Sequence, residues 1–403
     1  MATANPDPES GEINFVDPEF TAHPQPVYAT VLEHHRLAKT IFLGHPVLSR
    51  YEDVIWALRH PEIFSSEVDM HVGLGTERPM IPQQIDPPAQ VRYRKILDLR
   101  FSRKRVREIE DDVRRHANEL IDGFVDAGEC EFDNAFAIPL PCRAFLSLMG
   151  LPQENLDLFL ELKNGIIRPP VPHMDVEAAK AYRAKTGKRI YAYFENLIEK
   201  RTAHPRDDMF TYFTQAELDG RKLTRNEILD IAFLFLLGGL DTVTATLGCC
   251  LAFLASNPDH RRRLAEDAAV VPAAVEELLR WETPVMLVPR ILKQDVTIGK
   301  VELKAGRVVN LLIGAADTDE AEFEKAHRVD FDRQRNRHVA FGAGPHRCLG
   351  SHLARMELRV ALEEWHRRIP DYAIKPGEIP RVSPGIREVQ YLPLIWQAKG
   401  GAR

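Results

Sequence analysis

The chain has 403 residues, 44% of them hydrophobic, and 53 basic against 59 acidic side chains give a formal net charge of −6. That balance offers no global case for a nucleic-acid or membrane-surface partner. Five cysteines (Cys130, Cys142, Cys249, Cys250 and Cys348), odd in number and without CxxC spacing, argue against a disulfide framework or a zinc site and for reduced thiols in a cytoplasmic setting.

The N-terminus carries Pro6, Pro8, Glu9, Glu12 and Asp17 rather than a basic segment followed by an apolar one, so it reads as lacking a secretory signal. Residues 1–25 read as irregular. Thr40–Leu43 and Val47–Ser49 around Gly44-His45-Pro46 suggest a hairpin, followed by a short helix over Tyr51–Arg59. Residues 68–85, with Gly73, Gly75, Pro79 and Pro82 among polar side chains, read as a loop. From Ala89 to about Val125 the pattern is helical and strongly basic at first. Helical periodicity dominates 152–201, with an interruption at Pro169-Pro170-Val171-Pro172. Asp295–Ile298 and Val301–Leu303 around Gly299-Lys300 suggest a second hairpin, and Val308–Ile313 a further strand. There is no internal repeat and no low-complexity linker. The expected class is mainly α with small peripheral β-sheets; length alone suggests two or three domains.

Between these elements lies the longest apolar stretch. Thr224-Arg225-Asn226-Glu227 is a capping box that marks a helix start, and apolar residues continue to Ala255 before Ser256-Asn257-Pro258 ends the run. Such a helix spans roughly 45 Å and is apolar on nearly every side, so it belongs in the core. Its longest unbroken apolar run, Ile231–Leu240, reaches about half the length of a membrane span and meets Asp241 at once. Gly238 and Gly239 each cost about 1 kcal/mol relative to alanine. Asp241 and Thr242 beside them add polar groups that must be satisfied. Two readings stand: a Gly-mediated close helix crossing with a hydrogen-bonded aspartate, or a locally opened helix serving chemistry.

The most informative stretch is Phe341–Gly350, FGAGPHRCLG. A lone cysteine, Cys348, is framed by Gly342, Gly344, Gly350 and Pro345, with His346 and Arg347 beside it and an amphipathic segment, Ser351–Trp365, directly after. Glycines let backbone amides approach a sulfur, and a helix N-terminus with nearby positive charge stabilises a thiolate. An inert buried cysteine is the bland alternative. The order Phe-Gly-x-Gly-x-x-x-Cys-x-Gly resembles the haem-ligand loop of the cytochrome P450 family. The central GGLDTV is similar to the form in the camphor hydroxylase subfamily, and the similarity runs from about residue 24 to Trp396.

That resemblance implies one haem-thiolate domain over 1–403, of the soluble bacterial type, with haem b held by Cys348 beside Phe341 and Gly342. It implies a groove for dioxygen at the opened helix, with Thr242 as its hydrogen-bonding hydroxyl and Asp241 bringing protons. Gln90 and Arg94, in Asp86-Pro87-Pro88-Ala89-Gln90-Val91-Arg92-Tyr93-Arg94, fall on propionate-facing positions, as do Arg290 and His346. Val288 departs from the camphor enzyme, which has an aspartate there. Glu277, Arg280 and Arg333 correspond to the family's structural set bracing the meander before the Cys loop.

Clustered basic residues (Arg92, Arg94, Lys95, Arg100, Arg103, Lys104 and Arg105, then Arg335, Arg337, Arg347, Arg355 and Arg359) suggest a docking face for an acidic electron donor, with a plain solvated face as the alternative. An iron–sulfur ferredoxin with its NAD(P)H-dependent reductase is the expected partner. The pocket has no tyrosine in Thr76–Ile85 where the camphor enzyme uses one; Arg78 stands nearest. Candidate wall residues are Met80, Leu234, Leu237, Met286, Val288 and Ile386, all apolar. The expected reaction is hydroxylation of a small cyclic terpenoid or norisoprenoid ketone. Competing readings are a peroxide-driven haem-thiolate enzyme and a non-catalytic haem sensor.

Overall fold

The computed structural model describes residues 11–41, 43–68, 71–172, 175–383 and 386–398. Helices dominate, and the strands form one six-stranded sheet and several two- or three-stranded ones. The large sheet runs in the order Glu12–Ile13, Ala38–Thr40, Pro46–Leu48, Val308–Leu312, Leu287–Leu292 and Phe64–Ser65. Its central pairing, Pro46–Leu48 with Val308–Leu312, is parallel, and Val308–Leu312 pairs antiparallel with Leu287–Leu292, Val309 opposite Arg290. The hairpin around Gly299-Lys300 is present as Val296–Ile298 against Val301–Leu303.

Two expectations from the sequence need correction. The first 25 residues are not wholly irregular: within the described part, Glu12–Ile13 joins the sheet, and Pro18–Ala22 is a helix that Asp17 caps through the amides of Glu19 and Phe20. The 68–85 loop contains a short helix, His71–Leu74. Other departures concern boundaries. The basic stretch from Ala89 is three helices, Ala89–Arg100, Arg103–Glu108 and Glu110–Asp122. They divide at Phe101 and Ile109, positions where local periodicity carries no break signal. The proline run after Ile167 does end a helix: Leu156–Ile167 and Val176–Ala203 lie on either side.

The loop after His71–Leu74 rests directly on the Val176–Ala203 helix. A Cβ on Gly187 would stand 2.0 Å from the Gly75 carbonyl oxygen, and one on Gly75 would stand 2.3 Å from the Arg183 carbonyl oxygen. Backbone meets backbone here, so only glycine fits at either position.

Through the centre runs the stretch Arg225–Ser256, 32 residues long and about 48 Å at 1.5 Å per residue. Thr224 and Glu227 form the expected capping box. By length and composition this stretch could cross a membrane, but 72% of its most apolar window is buried inside the fold, as befits a core helix.

Candidate functional site

Cys348 follows the 3-10 turn Gly344–His346 and precedes the helix Ser351–Arg368 by three residues. Gly342 and Gly344 both take φ of 66°. At Gly344 the need is steric as well, because a Cβ would stand 2.3 Å from the Leu58 carbonyl oxygen. The turn folds the chain back so that the Cys348 amide donates to the Phe341 carbonyl at 2.8 Å. Surrounding protein pushes the Cys348 thiol up, although the side chain itself remains accessible to solvent. Opposing that shift are the Gly350 amide, aimed at the sulfur, and the charges of Arg94, Arg347 and Arg355. Arg355 lies over the Phe341 ring at 4.4 Å and is itself held by Glu276 at 2.6 and 2.8 Å.

Beside this loop stand buried polar groups with capacity to spare. Arg290 is 9% exposed, and among the described residues its side chain donates only to its neighbour's carbonyl, Pro289 O, at 2.8 Å. Burial lowers it to about 10. His346 Nε2 is buried without a hydrogen-bond partner; the Asp86 carboxylate is 3.8 Å away and already engaged by Ser65, the Ser66 amide and Lys293. Burial, then Arg290, holds His346 down at about 4, so it stands neutral with one nitrogen able to donate. Gln90 and Arg94 do a different job. Gln90 donates to Pro345 O at 2.6 Å and Arg94 to Arg347 O at 2.7 Å, which ties the Ala89–Arg100 helix to the Cys loop. Two unspent buried donors, Arg290 and His346, next to a cysteine on a helix-start loop fit a group with carboxylate arms and a thiolate-seeking metal.

The central helix breaks at Asp241. Arg225–Leu240 and Thr242–Ser256 are separate helices joined at Asp241, whose φ is −105° and ψ −33°. A Cβ on Gly238 would meet nothing within 4 Å, whereas Gly239 approaches Phe145 at 3.0 Å. Gly239 thus makes the close approach of the first reading, while Gly238 faces open space. Thr242 Oγ1 donates to Gly238 O at 3.0 Å. Asp241, fully buried, accepts from Lys163 Nζ at 2.9 Å and from Arg168 at 3.2 and 3.4 Å. Sequence reasoning missed both cations. Lys163 did carry a signal, since it falls four residues after Phe159 and three before Ile166 on the buried stripe of the Leu156–Ile167 helix.

The wall candidates divide. Met80 is buried in the cluster that Leu234 and Leu237 pack against. Val288 joins a different cluster with Leu48, Leu311 and Val339. Met286 packs among Phe20, Tyr28 and Leu312 in the N-terminal core, away from the central helix, so core packing accounts for it. Ile386 is half-buried. Arg78 reaches Asp230 on the central helix through Nε at 3.0 Å to both carboxylate oxygens, and its guanidinium lies 5.2 Å from the Tyr191 ring centre.

Glu277 and Arg280 meet at 2.8 and 2.9 Å, and Arg333 Nε reaches Glu277 at 2.9 Å. The basic face is partly neutralised: Arg92, Arg105, Arg337, Arg355 and Arg359 pair with Asp219, Glu108, Glu322, Glu276 and Glu110. Lys95, Arg103, Lys104, Arg335 and Arg347 are exposed or nearly so and have no ion pair among the described residues.

Residues 153–366 match the family model described as Cytochrome P450. The chain belongs to the cytochrome P450 family. It is 34% identical over 339 residues to a probable cytochrome P450 127A1 of Sinorhizobium fredii, covering 84% of this chain and 80% of that protein. To the steroid C26-monooxygenase of Mycolicibacterium smegmatis it is 34% identical over 330 residues, 81% of each. The solved cytochrome P450 CYP109Q5 from Chondromyces apiculatus superposes with a TM-score of 0.87 at 28% identity, covering 97% of this chain and 100% of that one. The fold is thus the P450 fold, the activity that of a monooxygenase, and the cofactor protoporphyrin IX haem. P450 enzymes take dioxygen and electrons from redox partners to act on organic substrates.

Proposed function

We propose that this P450 hydroxylates a compact apolar alicyclic substrate, a terpenoid or norisoprenoid ketone such as an ionone, with electrons from an iron–sulfur ferredoxin and its NAD(P)H-dependent reductase. Cys348 would hold the haem iron as a thiolate, with Phe341 and Gly342 shaping its loop. Arg290 and His346 would take the propionates, and Gln90 and Arg94 would hold the loop against them. When bound, the haem supplies dioxygen activation and insertion of one oxygen atom into a C–H bond.

Other steps belong to the chain. The Gly350 amide and the cations around the sulfur favour its anionic form. The open face at Gly238 gives room above the helix break. Asp241 takes protons from water reaching the half-exposed Arg168 and hands them toward the Thr242 hydroxyl. The observation carrying this reading is Asp241 itself: a buried acid at a helix break, beside a hydroxyl, with two cations on it. That arrangement argues against a peroxide-driven enzyme or a sensor.

Met80, Leu234 and Leu237 supply the apolar wall. Arg78 is spent on Asp230 and Tyr191, so no free cation awaits a substrate carboxylate there, which favours a neutral ligand. The unpaired cations Lys95, Arg103, Lys104, Arg335 and Arg347 suit an acidic ferredoxin, and five free cysteines suit the reducing cytoplasm. The test is a low-to-high spin titration with terpenoids and ionones, together with the steroid class named in a relative, followed by NADH-driven turnover with ferredoxin and reductase. Spin conversion by carboxylic acids alone, or turnover only with peroxide, would refute it.

A further inference from the structure

Arg168 stands between two buried carboxylates. On one side it donates to Asp241; on the other its guanidinium contacts Glu388 on the strand Glu388–Tyr391. The two acids are 0% and 1% exposed, while Arg168 keeps 29% of its surface. Lys163, equally buried, adds a second cation to Asp241, whereas Arg168 is the sole cation paired with Glu388 among the described residues. A third acid, Asp133, lies on the π-turn Asp133–Ala137; it is 4% exposed and its Oδ1 has no hydrogen-bond partner. Thr244 ties that turn to the central helix through Ala137 O at 3.0 Å.

Three carboxyls thus face two cations in one buried region. Uncompensated charge there is expensive, so one carboxyl must keep its proton. Burial first, then the charge of Glu131, pushes Asp133 up to about 7; Arg168 and Lys163 pull it down, and Asp241 raises it. With Asp133 neutral, Lys163 and Arg168 balance Asp241 and Glu388.

We propose that Glu388 is a positioning residue for Asp241: it competes for the Arg168 guanidinium, so that Asp241 can leave its double clamp and pass a proton toward Thr242 without stranding a buried cation. The inference rests on reading Asp241 and Thr242 as the proton-delivering pair. When Asp241 takes a proton from water at the exposed edge of Arg168, its hold on that guanidinium weakens, and Glu388 keeps it. Asp241 then releases the proton toward the Thr242 hydroxyl, becomes a carboxylate again and recovers Arg168. Without the Glu388 charge, Arg168 has only Asp241 to turn to, and Asp241 leaves the clamp to take up a proton more slowly.

The test is Glu388→Gln in the haem-loaded enzyme with ferredoxin and reductase. The kcat is expected to fall on the order of tenfold, with a larger solvent deuterium isotope effect and an unchanged spin-state titration by substrate. In an Asp241→Asn background the same substitution should add nothing. Infrared spectroscopy gives a readout independent of turnover. Wild type should show a protonated carboxyl band that titrates near pH 7 and is absent from Asp133→Asn, and Glu388→Gln should move that titration to lower pH. Should Glu388→Gln melt early, Glu388→Asp, which keeps the charge, is expected to restore kcat. Wild-type kcat in Glu388→Gln, a fall that persists beside Asp241→Asn, or an unmoved carboxyl titration overturns the proposal. Absence of turnover by the wild type with every substrate would instead overturn the functional reading, and the infrared comparison would still decide the role of Glu388.

Discussion

Glu277 and Asp241 are both carboxylates with essentially no exposure, and each accepts from two cations, yet their surroundings differ in kind. Glu277 also receives the Asp330 amide at 2.9 Å and Asn336 at 3.1 Å. The spare donors of Arg280 go to the carbonyls of Asp317, Ala326 and Arg328, and those of Arg333 include Glu324 O at 2.7 Å. The spare donors of both arginines end on fixed backbone, so the cluster has one arrangement and braces the chain that leads to Cys348. Around the Asp241 carboxylate the partners among the described residues are side chains, one of them partly exposed, and a surplus acid sits nearby. Saturation by backbone yields a scaffold; sharing among side chains leaves protons able to move.

Substitutions should expose the contrast, unfolding on one side and redirecting chemistry on the other. The largest effect belongs to the loop that the first cluster braces. Cys348→Ser is expected to abolish turnover and the red-shifted Soret band of the reduced carbon monoxide adduct; a retained band would show that another residue holds the iron. Next comes Glu277→Ala, which leaves Arg280 and Arg333 facing no carboxylate and should cost about 3–5 kcal/mol, read by denaturant unfolding and by loss of haem content. A smaller change would mean the backbone acceptors alone hold the meander. Thr242→Ala should keep folding and substrate-induced spin change while diverting most reducing equivalents to peroxide, measured as product formed per NADH.

The smallest effect is one of pH. Asp133 lies at about 7 in the fold against 3.8 for its ordinary value, so the native chain holds a proton that the unfolded chain releases between these values. Its contribution to stability therefore falls as pH rises from about 4 to about 7 and is level above that. Asp133→Asn should remove this slope and gain no more than ~4 kcal/mol on wild type at pH 8, as melts at pH 5 and pH 8 would show.

How much of this could be read from the chain depends on separation. The Cys loop and the Thr224–Glu227 capping box are local patterns whose geometry follows from adjacent residues, and both were legible. The Gly299-Lys300 hairpin was legible for the same reason. Lys163, Arg168, Asp133 and Glu388 come from three segments up to 255 residues apart, and no local pattern joins them to Asp241. The break at Asp241 was one of two readings that the two glycines and the acid allowed; what holds that acid was not legible. Met286 shows the reverse case: an apolar residue shortly before Arg290 looks like pocket wall, but just ahead of the strand Leu287–Leu292 it packs with Phe20 and Tyr28. The basic run overstated the free positive charge because its acidic partners, Glu110, Glu276 and Asp219 among them, lie outside it.

At the seam between Gly75 and Gly187 the nearest atoms on either side are backbone carbonyl oxygens, which cannot swing aside as a rotamer can. Even an alanine at either glycine would therefore have to wedge two stretches of main chain apart, so the smallest possible enlargement would be felt by the whole loop.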